Sequence, residues 1–111
     1  ISLSATCVRV PVFVGHSESV NVEFNTDANA KKARECLEKA NGCKVVDEIK
    51  DGGYVTPVES SGDFITYISR IRDDKTQKNS INMWVVSDNL LKGAALNAVQ
   101  IANVLIKKYI N

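Results

Sequence analysis

The stretch "TCVRVPVFVGHSESVNVEF", residues 6–24, decides how this chain is read. Its apolar residues alternate as in a strand buried on one face, yet it carries Arg9 and, after Gly15, the sequence's only histidine, His16. Period-2 geometry over residues 5–14 puts Val8, Val10, Val12 and Val14 on one face and Cys7, Arg9, Pro11 and Phe13 on the other. The valine face belongs to a core. The pattern resumes over residues 19–24 with Val20, Val22 and Phe24 inward, leaving residues 15–18 as the break between two strands.

Downstream, Ala30, Ala33, Leu37 and Ala40 recur at helical steps behind Thr26 or Asp27 as caps, and Asn41-Gly42 supplies a left-handed stop. "CKVVDEI" reads as a short strand, and "KDGGYVTPVESSGD" as an irregular connection long enough to be functional, interfacial or mobile. "FITYISRIR" and "SINMWVVSD" are β-branched and aromatic runs separated by "DDKTQKNS", the pattern of two antiparallel neighbours. The last segment, "KGAALNAVQIANVLIKKYIN", aligns Ala94, Ala98, Ile101, Leu105 and Tyr109 along one face, with Lys107 and Lys108 at its negative dipole end. It reads as a long docking helix. The order β-β-α-β-β-β-α implies an α+β fold in two layers, an antiparallel or mixed sheet with two helices on one face.

A chain of 111 residues with 44% hydrophobic content suits one globular domain, and no apolar run approaches the ~20 residues that cross a bilayer. With 14 basic and 13 acidic residues, no global field draws in nucleic acid or an anionic membrane. Cys7, Cys36 and Cys43 are odd in number and have a single histidine for company, which argues against a disulfide framework and against a metal site. Reduced thiols and a cytoplasmic location are expected. The opening "ISLSATCVRV" has neither Met nor a basic or apolar leader, and suggests a piece of a longer protein.

Arg9 needs an anion if it is buried, because an unpaired guanidinium costs several kcal/mol to desolvate. It is either an exposed or salt-bridged strand residue or a fork for a substrate carboxylate. His16 is the one ready general acid/base near neutral pH. A straight strand would set the two about 23 Å apart on opposite faces, so they share a site only if the chain bends at Pro11 or Gly15. Asp88 is placed to cap the last helix, whereas Asn89 can offer its amide to a ligand at the sheet edge. Arg70 and Arg72, beside Asp73 and Asp74, read as a charge lattice or subunit contact rather than a phosphate site. Of the cysteines, only Cys7, on the face of Arg9, merits a test of reactivity. "DGGY" lacks the strand-turn-helix context of a phosphate loop, so the chain does not bind a dinucleotide by itself in that way.

"SATCVRVPVFVGHSESVNVEF" together with "WVVSDNLLKGAALNAVQIA" closely resembles the C-terminal part of the aspartate-semialdehyde dehydrogenase family, over nearly the whole chain. The resemblance implies a domain like the C-terminal domain of glyceraldehyde-3-phosphate dehydrogenase. It also implies NADP-dependent reductive dephosphorylation of β-aspartyl phosphate to aspartate semialdehyde, on the route to lysine, threonine and methionine. The acid/base histidine then falls on His16, the arginine for the substrate carboxylate on Arg9, and the polar residue near the nicotinamide amide on Asn89. A homodimer is implied, with the sheet face away from the helices as its candidate surface. Residues 1–111 would be a single C-terminal domain, with the NADP-binding domain and the nucleophilic cysteine upstream of Ile1. Three rival readings stand beside it: a non-catalytic dimerisation module, the related N-acetylglutamyl-phosphate reductase, and a small amino-acid-binding regulatory domain.

Overall fold

Ile68, Ile71 and Ile81 form the buried centre of the computed structural model, which describes residues 1–110. They belong to a four-stranded sheet built from β1 (His16–Glu23), β2 (Cys43–Val45), β3 (Thr66–Asp73) and β4 (Ser80–Ser87), in the order β1-β4-β3-β2. β4 pairs antiparallel with β1 and β3, and β2 runs parallel to β3. The expected α+β architecture with a mixed sheet is present. The β3–β4 turn closes because Asp74 Oδ1 accepts the Thr76 N–H at 2.8 Å and its hydroxyl at 2.7 Å, while Asn79 takes a φ of 56°.

Ile68 and Ile71 are three apart, so a regular strand would turn them to opposite faces. A register shift between Ser69 and Arg72 restores Ile71 to the core side, with Arg70 at a φ of 56°. Asp47 holds this bulge: its Oδ1 accepts the Arg70 N–H at 2.6 Å, its Oδ2 accepts the Ile71 N–H at 3.0 Å, and Arg34 pairs with the same carboxylate. Because Arg34 lies on α1 (Ala30–Leu37), one carboxylate ties the helix to the bulge. Ala30, Ala33 and Leu37 of α1 pack on the isoleucines.

The caps of α1 differ from expectation. Asn29 is the N-cap, its Oδ1 accepting the Lys32 N–H at 2.9 Å, while Asp27 pairs with the Lys32 ammonium at 2.6 Å. Asn29 lies directly before the first helical residue, where an Asx side chain reaches the third N–H of the turn. α1 ends earlier than expected, at Leu37 with Glu38 as its C-cap, and Gly42, at a φ of 79°, lies in the turns that follow and lead into β2.

The parallel β2–β3 pair requires a crossover, and residues 50–63 make it through the single turn α2 (Pro57–Ser60). Thr56 and Glu59 form a capping box there, with the Thr56 N–H donating to Glu59 Oε2 at 2.8 Å. The crossover covers part of the sheet face opposite α1: Trp84 Nε1 donates to the Val55 carbonyl at 2.9 Å, and the Val55 N–H to Ser69 Oγ at 3.3 Å.

Two expectations are corrected. Residues 5–14 form no strand; Val8 is 74% exposed, and Phe13 is exposed as well. Alternation records that one face seeks burial, but a strand also needs a hydrogen-bonding neighbour, and among the described residues no strand pairs with these. The ladder begins at His16, inside the expected break, and Phe24 beyond its end is exposed. The second correction concerns the C-terminal segment, which is helical as a π turn (Leu91–Ala95), α3 (Leu96–Leu105) and a second π turn (Ile106–Ile110). It buries no residue; Ile101, on the expected apolar face, is 56% exposed. The docking anticipated for this face is not made within the described residues, and Asn111 lies outside them.

Asp88 accepts the Gly62 N–H at 2.8 Å, the Leu90 N–H at 2.8 Å and the Leu91 N–H at 3.0 Å, joining the crossover to the start of the last helix as its expected cap. The Gly62 bond, helped by those from Leu91 and Leu90 and opposed by partial burial, holds its pKa below the ordinary carboxylate value. A carboxylate depressed in this way stabilises the fold above the unfolded-state value and loses that contribution as pH falls through the lowered folded value. Asp88→Asn is therefore expected to unfold at lower urea than the wild type at pH 7, and the gap should close in acid, where protonated Asp88 resembles the amide. Asp47→Ala strands two backbone donors and one guanidinium, and is expected to cost about 2–4 kcal/mol in urea unfolding.

Candidate functional site

β1 starts at His16, whose Cα partner in the ladder is Ser87, the last residue of β4. The imidazole therefore stands exposed at the end of the sheet, where β4 gives way to the C-terminal helix. Gly15, immediately before it, takes a φ of +103°, a conformation L side chains rarely adopt. A Cβ at Gly15 would lie 2.9 Å from Pro57 Cβ, so the crossover closes on the glycine from one side. From the other side Asn89 reaches in, and its Oδ1 accepts the Gly15 N–H at 2.8 Å.

Three segments thus meet at one end of the sheet: the Gly15-His16 corner, the start of α2, and Asp88-Asn89. The acid/base candidate and the candidate amide are brought together. Arg9 is not placed with them; it is exposed within residues 1–14, on no regular element. An open depression of about 290 Å³ lies elsewhere, lined by Ser19, Tyr54, Arg70, Arg72, Met83 and Trp84, and holds neither His16 nor Arg9.

Arg70 and Arg72 make no lattice with the neighbouring acids. The Arg70 guanidinium sits 5.9 Å from the Tyr54 ring centre, and Arg72 Nη1 donates to the Arg70 carbonyl at 2.8 Å. Asp73 instead accepts the Ala30 N–H at 2.6 Å, and Asp74 serves the β3–β4 turn. Cys7 and Cys36 are exposed free thiols and Cys43 is half-buried. Among the described residues no three of His, Cys, Asp and Glu converge as a metal site.

For a nicotinamide dinucleotide the chain offers an edge rather than a cradle. Among the described residues parallel pairing is confined to the short β2–β3 ladder. The group available to a carboxamide is Asn89 Nδ2, a donor, because Oδ1 is engaged by Gly15. Sequence reading singled out His16 and Asn89 as candidates, but neither Pro57 nor the bond from Asn89 to Gly15. The one local signal was a glycine placed directly before the histidine.

The family model described as "Semialdehyde dehydrogenase, dimerisation domain" matches residues 1–92. The aspartate-semialdehyde dehydrogenase of Rickettsia bellii is 53% identical over 110 residues, which cover 99% of this chain and 32% of the relative. That of Aquifex aeolicus is 45% identical over 108 residues, covering 97% and 32%. The chain thus spans about a third of the length of these relatives. Among solved structures, aspartate semialdehyde dehydrogenase II of Vibrio cholerae complexed with ASA superposes with a TM-score of 0.82 at 39% identity, over 91% of this chain and 30% of that one. A probable aspartate-semialdehyde dehydrogenase from Pseudomonas aeruginosa gives 0.77 at 37%, over 89% and 29%. With the family model covering most of its length and these relatives sharing its fold, the chain belongs to the semialdehyde dehydrogenase dimerisation-domain family.

Proposed function

We propose that this chain is the C-terminal, dimer-forming and acid/base-bearing part of a cytoplasmic, NADP-dependent aspartate-semialdehyde dehydrogenase serving lysine, threonine and methionine biosynthesis. The observation that carries the reading is the match to an aspartate semialdehyde dehydrogenase solved with ASA, at a TM-score of 0.82. It is supported by the chain's lone imidazole standing exposed on a glycine corner at the sheet end.

In this reading the nucleophilic cysteine and the dinucleotide-binding domain belong to the part of the polypeptide outside this chain. His16 takes the proton from the attacking thiol and moves protons at the tetrahedral centre. Arg9 holds the carboxylate of the substrate through a two-pronged hydrogen bond, fixing the carbonyl in line with the nucleophile. NADPH, when bound, supplies the hydride that yields the aldehyde. Asn89, whose Oδ1 is engaged by the Gly15 N–H, would offer Nδ2 to the nicotinamide carboxamide.

Arg9 can serve only if residues 1–14 settle against surfaces of the larger assembly, which the uncovered valines of that segment favour. The same uncovered surface supports a second description for the chain in isolation, a module that self-associates without catalysis. Sedimentation at several concentrations tests it: a stable dimer supports the module, and a monomer throughout counts against it.

In the full-length polypeptide, His16→Gln is expected to lower kcat about 10²- to 10⁴-fold with modest change in KM. Arg9→Ala should raise KM for the semialdehyde more than it changes KM for phosphate. The 111-residue chain alone should oxidise no NADPH with β-aspartyl phosphate. Turnover by the isolated chain, or an unchanged kcat in His16→Gln, would overturn the reading.

A further inference from the structure

We propose that Asn89 is a positioning residue for His16, acting through the Gly15 N–H; the inference rests on the acid/base role proposed for His16 above. His16 is the first residue of the β1–β4 ladder, the place where a strand pair frays most readily. The bond from Gly15 to Asn89 Oδ1 lies one residue beyond that ladder and closes it, so that the histidine is held from both sides.

The orientation of the amide is set by its partner. A backbone N–H only donates, so Asn89 must present Oδ1 to Gly15, leaving Nδ2 free. The corner is rigid on three counts. Gly15 is in the left-handed region at a φ of +103°, Pro57 fills the space behind it, and Asp88 anchors the base of Asn89 through the N–H groups of Gly62, Leu90 and Leu91. Without Asn89 the partly buried Gly15 donor has no partner and the backbone before His16 is free to swing. A swing of that kind displaces the imidazole from its working geometry without touching substrate affinity.

The test uses the full-length polypeptide carrying Asn89→Ala and Asn89→Asp. The aspartate variant keeps an acceptor in the same place and removes the Nδ2 donor, so it separates positioning from a cofactor contact. Hydrogen exchange at the Gly15 amide, followed by NMR, reports the bond directly. Asn89→Ala is expected to speed Gly15 exchange and lower kcat about tenfold or more, with the KM for the semialdehyde within about twofold of wild type and the KM for the cofactor raised by loss of the Nδ2 donor. Asn89→Asp should restore Gly15 protection and most of the kcat lost in Asn89→Ala, while the KM for the cofactor stays raised. An Asn89→Ala variant with unchanged Gly15 exchange, or one that raises only the KM for the cofactor, overturns the proposal, as does an Asn89→Asp variant as slow as Asn89→Ala. If the wild-type polypeptide itself does not turn over the semialdehyde, the enzymatic reading fails and this inference with it. Gly15 exchange in the two variants then still tells whether the bond exists, so the two failures are told apart.

Discussion

Two isoleucines three residues apart cannot face the same side of a regular strand, and the core of this domain needs both Ile68 and Ile71 there. The bulge at Arg70 resolves the conflict, and Asp47 keeps it in place by satisfying the two N–H groups that the bulge turns away from the ladder. The same carboxylate binds Arg34 of α1, so helix, bulge and core form one mechanical unit. β3 then sets the register of β4 and β4 that of β1, which carries the constraint across the sheet to the Ser87–His16 pair. The position of the imidazole is therefore a consequence of packing at the opposite side of the sheet.

What the core leaves out matters as much. Among the described residues five hydrophobic side chains are buried, while the valines of the first segment and the apolar stripe of α3 remain uncovered. Apolar surface on that scale is a poor end state in water, and it is the surface expected of a domain whose relatives are about three times its length. The segment with Arg9 and the helix after Asn89, which carry this surface, both adjoin the His16 corner in sequence.

Much of this was legible in the amino-acid sequence, where the signal was local. The β-branched runs became β3 and β4, and the alanine-leucine periodicity became α1, which stops at Leu37 ahead of the left-handed Gly42. Residues 5–14 were misread because alternation states that a face is apolar without stating what covers it or what pairs with its backbone. The bulge had a trace in "YISRIR", where two isoleucines break the period of two, yet its anchor Asp47 comes from a different segment. The bond between Asn89 and Gly15 joins residues 74 apart, and no nearest-neighbour pattern encodes such a contact. Family resemblance pointed to His16, Arg9 and Asn89, but the corner that unites two of them emerged only from the fold.

The proposed function requires His16 and Arg9 to border one substrate, the first through a corner built within this chain and the second through contacts made outside it. The most direct measurement is a crystal structure of the full-length polypeptide with aspartate semialdehyde bound. The expected complex has His16 within about 3 Å, directly or through one water, of the reacting carbon's oxygen or the nucleophilic sulfur, and Arg9 paired with the carboxylate of the ligand. A ligand held with His16 facing bulk solvent and Arg9 engaged elsewhere would contradict it.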